Sequence, residues 1–486
     1  MLDFRPISLP VLLIASHSIS EQLTRKSERF PLSTPKAKTL GKFPLFLSSQ
    51  KLMTQEYFRL LIGERSLLTL EGESWIQHRK HYNSGFAPSH LITLLPVIVK
   101  QTERFVARLD EKVRSQEISH LATACGNLTI DIIGELVLDY DLKAQFSEDQ
   151  QSCLVRSYRE LLQTYLDDSG SAGIMPTMPW IRWKRHRLAS TCDHEIGRIV
   201  RQRFVEVKSS KKEPYKNESV LARALRGVDE LTGDVLKDIT DDIKTFLLAG
   251  HDTTSSLLQW LFFELSRSPQ VLAKLRAEID SVIEVKASTH DVMHLLLDRS
   301  KDILSSLNYT SAVIKEALRL YPPAGAARWV DKGTNFMVDL PDGTSVNVDD
   351  VLLYNCHYLI QRDENVYGGA ADDFIPERWI SGEEAWRAVP PSAWRPFERG
   401  PRNCIGQGLA LLEAKVALIV CARRYDFVKI GKGALAKDKH GQPVLNEKGQ
   451  WNVESPMYNV SAILVFSREM LTRNSLGESL QHQWMA

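Results

Sequence analysis

Residues 396–415 read PFERGPRNCIGQGLALLEAK, and the rest of the chain is understood from this stretch. It holds one cysteine, Cys404, with Gly400, Gly406 and Gly408 around it and Arg402 two places before it. Glycine gives up more conformational entropy on folding than any other residue. Three of them so close together mark backbone that approaches something closely or takes positive φ angles. The run LALLEAK that follows has good helix formers at apolar spacing. Cys404 is therefore expected at, or just before, a helix N-terminus, where unpaired N–H groups and peptide dipoles favour negative charge. A thiolate is stabilised in such a place and serves as a nucleophile or a metal ligand.

The nucleophile reading wants a histidine base, and the local stretch has none. The ligand reading fits better. One sulfur holds one face of a haem iron, because the porphyrin fills the equatorial positions. Arg402 then pairs with a haem propionate, Phe397 screens the sulfur from water, and the glycines, Gly406 among them, let N–H groups point at it. The competing reading is a buried structural cysteine beside a glycine-rich turn. The spacing decides between them. Phe397, Gly400, Arg402, Cys404 and Gly406 form F-x-x-G-x-R-x-C-x-G, which resembles the haem-thiolate signature of the cytochrome P450 superfamily. That resemblance implies a b-type haem with Cys404 as the axial iron ligand.

Further stretches resemble motifs of the same family, in the family's order. ESWIQHRKHYNSGF resembles its W-x-x-x-R helix, with Trp75 and Arg79 four apart on one helix face; the resemblance implies that both meet propionates. TFLLAGHDTTSSLLQWLFF resembles the oxygen-activating helix and is apolar on nearly all sides, which implies burial. There Ala249 and Gly250 leave room for dioxygen. Thr253 lies four residues after Ala249, so its hydroxyl bonds that carbonyl or turns toward oxygen. Asp252 brings protons from solvent, because cleavage of the oxygen–oxygen bond consumes two. The alternative is that Asp252 or Thr253 only caps a second helix. VIKEALRLYPP carries E-x-x-R as Glu316 and Arg319, and FIPERW supplies Arg378 as the expected third member of a buried network. Arg328 follows as a further propionate partner. The small residues Ala324, Gly325, Ala326 and Ala327 predict a roomy pocket for a bulky apolar substrate.

The totals agree with a globular enzyme. The chain has 486 residues, 43% hydrophobic and 25% charged, with a net charge of +1. That excludes a disordered chain, and the charge total gives no argument for nucleic acid. Six scattered cysteines with no C-x-x-C pair argue against a zinc ribbon or a disulfide framework. No stretch is read as reaching the ~20 apolar residues of a membrane span.

Helical periodicity dominates from about residue 50 to 325, and strand signals cluster after Pro322. PVLLIAS near the N-terminus reads as a strand followed by a helix. TNFMVDLPDGTSVNVDDVLLYN reads as two strands around a turn at Pro341 to Gly343. A second hairpin is expected near 440–466, with VSAILVF as its last strand. KSSKKEPYKNES, 208–219, reads as a surface loop, and the tail, 470–486, as frayed. The expected fold is mostly α with a smaller β portion, a single cytochrome P450 domain over 1–486.

Three departures from the family pattern stand out. Gln361, Arg362 and Asp363 replace the usual H-R-D, and Glu398 occupies a position often held by glycine. The N-terminal strand and helix resemble ones that normally lie tens of residues into these proteins, so the usual membrane anchor, hinge and first helix and strand are expected to be absent. The segment 173–187, GIMPTMPWIRWKRHR, with Trp180 and Trp183 beside Lys184, Arg185 and Arg187, is expected to contact a bilayer surface.

By resemblance the protein is a monooxygenase of fungal microsomal type. It would use O2 on an apolar secondary metabolite at the cytosolic face of the endoplasmic reticulum, with cytosolic or peripheral attachment as the alternative. No flavin or nicotinamide fingerprint is found, so a separate NADPH-dependent flavoprotein reductase is expected to supply electrons and to dock on Arg399, Arg79 and Lys80. Two competing readings are a haem-thiolate isomerase or dehydratase that needs no reductase, and a non-catalytic haem-binding protein. Retention of Asp252 and Thr253 argues against the first.

Overall fold

A computed structural model describes residues 10–27, 30, 32–36, 55–115, 117–169, 178–209, 218–283, 288–380, 389–431, 433–455 and 471–476. The helices used below are α1 (His17–Thr24), α2 (Gly72–Asn83), α3 (Leu95–Ser115), α4 (Leu121–Leu138), α5 (Cys153–Ser169), α6 (Pro179–Ser209), α7 (Gly233–Arg267), α8 (Asn308–Leu320) and α9 (Gln407–Arg424). The strands are β1 (Val11–Ile14), β2 (Ser119–His120), β3 (Ala326–Trp329), β4 (Met337–Asp339), β5 (Ser345–Asn347), β6 (Leu352–Asn355), β7 (Tyr425–Ile430) and β8 (Leu471–Leu476).

Helix α7 is the axis of the fold. Its 35 residues span about 52 Å at the usual rise per residue. Thr232 caps its start by accepting from the Val235 N–H. The helix runs unbroken through Asp252 and Thr253, so neither residue caps a second helix. Apolar residues on all its sides, among them Ile243, Leu248, Trp260 and Phe263, are buried. Helix α4 packs along it. Contrary to expectation, α4 is long and apolar enough to cross a membrane by length and composition, with a mean hydropathy of 1.5. Here that composition serves burial, because Leu128, Ile132, Leu136 and Leu138 sit in the main core with Phe105, Trp260, Phe262 and Leu418. Trp260 of α7 stacks flat on Tyr321 just past α8, ring centroids 3.7 Å apart.

Among the described residues three small sheets flank the helices, and Tyr425 and Phe427 of β7 pack into the main core. β6 is the centre of the first, parallel to β1 and antiparallel to β3. A separate small core of Ile14, Leu23, Val330, Val338 and Leu353 brings α1 against this part of the molecule. β4 and β5 form the hairpin expected around Pro341 to Gly343, with Gly343 at φ +84°. The last strand of that stretch, β6, leaves the hairpin and joins the first sheet.

β8 pairs with both β7 and β2. Leu471–Leu476 thus forms a strand within the tail expected to fray, because it finds the open edges of two strands; 477–486 lie outside the described residues. The second hairpin begins earlier than expected, with bridges Leu435↔Val453, Lys437↔Pro443 and Leu445↔Trp451. VSAILVF, 210–217 of the polar loop and 173–177 of the tryptophan segment lie outside the described residues.

The E-x-x-R pair is buried and larger than expected. Glu316 accepts from Arg319 Nε at 2.9 Å and Nη2 at 2.8 Å, and from Arg378 Nε at 2.9 Å. The Ile375 N–H at 3.0 Å and the Trp379 indole N–H at 2.8 Å complete the set. Arg319 donates onward to the carbonyls of Gln361, Ala371 and Asp373. Gln361 returns two bonds to the end of α8, at the Leu318 and Arg319 carbonyls, and accepts from the Arg395 N–H at 2.8 Å. The departure at Gln361 therefore ties α8 to the segment carrying Cys404. Glu316→Ala would leave two buried guanidinium groups uncompensated, a loss of about 3–5 kcal/mol. A large fall in the urea midpoint is expected, together with poor haem incorporation on expression.

Candidate active site

A cavity with about 1230 Å³ of empty space, part of it open to solvent, lies between α7 and the Cys404 loop. Leu68, Phe86, Ile133, Phe246, Leu257 and Leu318 supply apolar wall. Ala324, Gly325 and Ala326 line it as expected; Ala327 does not. A Cβ on Gly325 would lie 2.5 Å from the Tyr354 hydroxyl, so this wall has no room for a larger residue.

The Cys404 loop folds back on itself. The Cys404 N–H donates to the Phe397 carbonyl at 2.9 Å and Asn403 N–H to that of Gly400 at 3.2 Å. Gly400 has φ +78°, and a Cβ there would fall 2.0 Å from the Thr24 carbonyl oxygen of α1. It meets both conditions expected of the glycines. Gly406 instead caps α9 at φ −85° and lines the cavity beside the sulfur. Phe397, Arg402 and Cys404 line the same cavity. The thiol is exposed to this enclosed space, and burial pushes its pKa up. The N–H groups of Gly406 and Gln407 and the charges of Arg79 and Lys36 pull it down.

On the opposite wall, Ala249, Gly250, Thr253 and Thr254 of α7 face the cavity. Thr253 Oγ donates to the Ala249 carbonyl at 2.7 Å. Asp252 points to the side, its Oδ1 3.6 Å from His251 Nε2. Burial pushes the Asp252 carboxyl up to about 8 and the neighbouring His251 down to about 4. At neutral pH Asp252 is therefore protonated and able to release a proton.

Cations gather at the far end. Lys36, Arg328 and Arg402 all line the cavity, as does His357. Arg328 is wholly buried, and its only hydrogen bond among the described residues is a 3.4 Å contact to the Thr34 carbonyl. Among the described residues, Arg328 Nε, Arg402 Nε and both His357 ring nitrogens have no hydrogen-bond partner. Burial together with Arg402 and Arg328 lowers Lys36 to about 7. Buried donors without acceptors are costly, and this set asks for an anionic ligand. A flat apolar group with two carboxylates, held by a sulfur on one face, matches cavity, donors and thiol together.

Trp75 and Arg79 sit behind the residues that line the cavity. Arg79 donates to the Asn403 carbonyl at 2.8 Å and to Asn403 Oδ1 at 3.1 Å. Trp75 is buried beneath the Arg402 guanidinium, 4.7 Å from ring centroid to Cζ. Both brace the loop from behind. Arg402 is further held by Glu71 at 2.8 Å and the Leu70 carbonyl at 2.6 Å. Lys36, His357 and Arg395 were not singled out from sequence. Lys36 and His357 come from segments with no motif of their own, Arg395 lies just before the Cys404 motif, and a β-bridge to Arg328 brings Lys36 to the site.

The profile of the cytochrome P450 family matches residues 45–451. The chain belongs to the cytochrome P450 family. Among curated relatives, this P450 is 31% identical over 446 residues to the cytochrome P450 monooxygenase acrF of Aspergillus aculeatus, covering 87% of this chain and 83% of that one. It is 30% identical to the alkane hydroxylase MAH1 of Arabidopsis thaliana, over 79% and 77% of the two chains. It is 33% identical to the self-sufficient monooxygenase CYP505E4 of Penicillium freii, over 62% of this chain and 27% of that one. The protein is thus a monooxygenase of a family whose iron is ligated by a cysteine thiolate.

The raised Asp252 carboxyl has a measurable sign. The folded P450 holds a proton that the unfolded chain releases near pH 3.8, so this group's stability contribution is full at low pH and is lost as pH rises toward about 8. Asp252→Asn removes that loss. The melting temperature of the variant minus that of the parent is expected to climb as pH goes from about 4 to about 8; a pH-independent difference would contradict the buried, neutral acid.

Proposed function

We propose that this P450 inserts one oxygen atom into an apolar small molecule, with electrons delivered by a separate NADPH-dependent flavoprotein reductase. The observation that carries the reading is the apolar cavity with Cys404 Sγ on one wall, Ala249 and Thr253 on the other, and at its end buried nitrogens of Arg328, Arg402 and His357 that have no acceptor among the described residues. When bound, the haem supplies activation of dioxygen and insertion of one atom into a C–H or C=C bond, the other leaving as water. Cys404 holds the iron as the thiolate. Arg328, Arg402 and Lys36 hold the propionates, and Trp75 and Arg79 keep Arg402 and the loop in place. Asp252 carries the proton and Thr253, whose hydroxyl can turn away from the Ala249 carbonyl, passes it into the cavity. The small residues near 324–326 favour a bulky substrate, and fungal relatives named monooxygenases support a fungal metabolite as that substrate.

The reductase would meet the face behind Cys404. Of the basic residues expected there, Lys80 is exposed. Arg79 is committed to Asn403 and Arg399 to Glu21 at 3.1 Å, so docking falls more on Lys80 than on those two. Purified protein should bind haem and give the thiolate-type carbon monoxide difference band, and should form product only with NADPH and added reductase. Cys404→Ala should lose both. Turnover without added reductase would sink the separate-donor part of the reading, and an unchanged band in Cys404→Ala would sink the ligand assignment.

A membrane-surface contact through the start of α6 belongs to the same reading. Trp180 and Trp183 are 66% and 65% exposed. Arg187 lies over the Trp183 ring at 5.2 Å. Arg185, by contrast, is buried and donates to Thr164, so it is withdrawn from that surface. Trp180→Ser with Trp183→Ser is expected to reduce sedimentation with anionic liposomes at least several-fold; unchanged sedimentation would exclude this contact.

A further inference from the structure

Glu398 is the residue of the Cys404 loop that departs from the family pattern, and its surroundings give it a task. It holds φ +56°, a left-handed conformation that a side chain with a Cβ adopts only under constraint. Its carboxylate lines the cavity and is 9% exposed. Oε1 accepts from Arg395 Nη2 at 2.6 Å and Nε at 2.9 Å, and from the Arg399 N–H at 3.2 Å. Oε2 accepts from Asn355 Nδ2 at 3.2 Å and lies 3.5 Å from His357 Nε2 and 3.9 Å from Arg328 Nη2. Burial alone would raise this carboxyl, but His357, Arg395 and Arg328 hold it well below the usual carboxylate range, so it stays charged. Two of the cavity's arginines thus already face a protein carboxylate, Arg402 facing Glu71 and Arg328 facing Glu398.

We propose that Glu398 is a fixed negative charge at the Arg328–His357 end of the propionate cradle, which lowers the reduction potential of the bound haem iron and loosens the hold on the propionate at that end. The inference rests on the haem-thiolate reading of Cys404. Reduction adds one electron to the haem, and a buried anion nearby opposes that gain of negative charge. The same anion repels a propionate and competes with it for Arg328 and His357, which face it at 3.9 and 3.5 Å. Glu398 is a positioning residue that acts through Arg328, His357 and the charge of the haem.

The test uses the holoenzyme with Glu398→Gln, which keeps size and a hydrogen-bond acceptor for Arg395, and Glu398→Gly, which also relieves the left-handed backbone. The carbon monoxide difference band is recorded first. Its absence in the parent would count against the haem-thiolate reading itself. With the band present, spectroelectrochemical titration and haem transfer to excess apomyoglobin are measured. In both variants the ferrous-to-ferric ratio at a set potential should rise about fivefold, the size expected for one partly screened buried charge. That equals a shift of about +40 mV at ~59 mV per decade for one electron. Haem transfer should slow by a similar factor. Potentials equal to the parent's in both variants would overturn the proposal. So would faster haem loss without a potential shift, since Glu398 would then only buttress Arg395. A shift in Glu398→Gly but not in Glu398→Gln would also overturn it, because charge would not be the cause.

Discussion

One carboxylate organises the region behind the cavity. Glu316 accepts five hydrogen bonds, three of them from guanidinium groups, while wholly removed from water. An isolated buried carboxylate is costly by several kcal/mol, so it persists only where donors saturate it. Saturating it fixes α8, the 375–379 turn and, through Arg319 and Gln361, the backbone of Arg395. Arg395 then reaches Thr24 of α1 and Glu398 of the loop. The position of the Cys404 sulfur is therefore set by a chain of satisfied buried polar groups that begins well away from it. A shift of any member would leave charge uncompensated in the interior.

The cavity follows the opposite rule. Its cationic end is under-satisfied, with nitrogens on Arg328, Arg402 and His357 left without acceptors among the described residues, while its middle is apolar. A polar network closed on itself is structure, and one left open toward a cavity is a binding site. The same contrast separates the two carboxyls on either side of the cavity. Glu398 is surrounded by cations and stays charged; Asp252, without any such partner, is pushed toward neutrality by burial. One protein thus keeps an anion at the loop and a proton store on α7 through environment alone.

Much of this was legible in the chain. The spacing of Phe397, Gly400, Arg402, Cys404 and Gly406 records local geometry, since a tight loop before a helix constrains neighbours in sequence. The same holds for Ala249 and Thr253, one helical turn apart on α7, and for Glu316 and Arg319 on α8. Residues that reach the site from distant segments were missed. Lys36 arrives by a β-bridge to Arg328 and His357 from just after β6; Arg395 is near the loop in sequence, but its contact with α1 is long-range. Trp75 and Arg79 were found as a pair on one helix face, but spacing does not show what lies beyond that face.

By itself the sequence determined the family, the thiol, the long buried helix and the mostly α architecture, because each is written in periodicity or in short-range spacing. Only the tertiary structure decided which cations face the cavity, which merely brace the loop, and what Glu398 does there. Charge balance in a buried site is summed over side chains brought together from across the fold, and no local pattern records that sum.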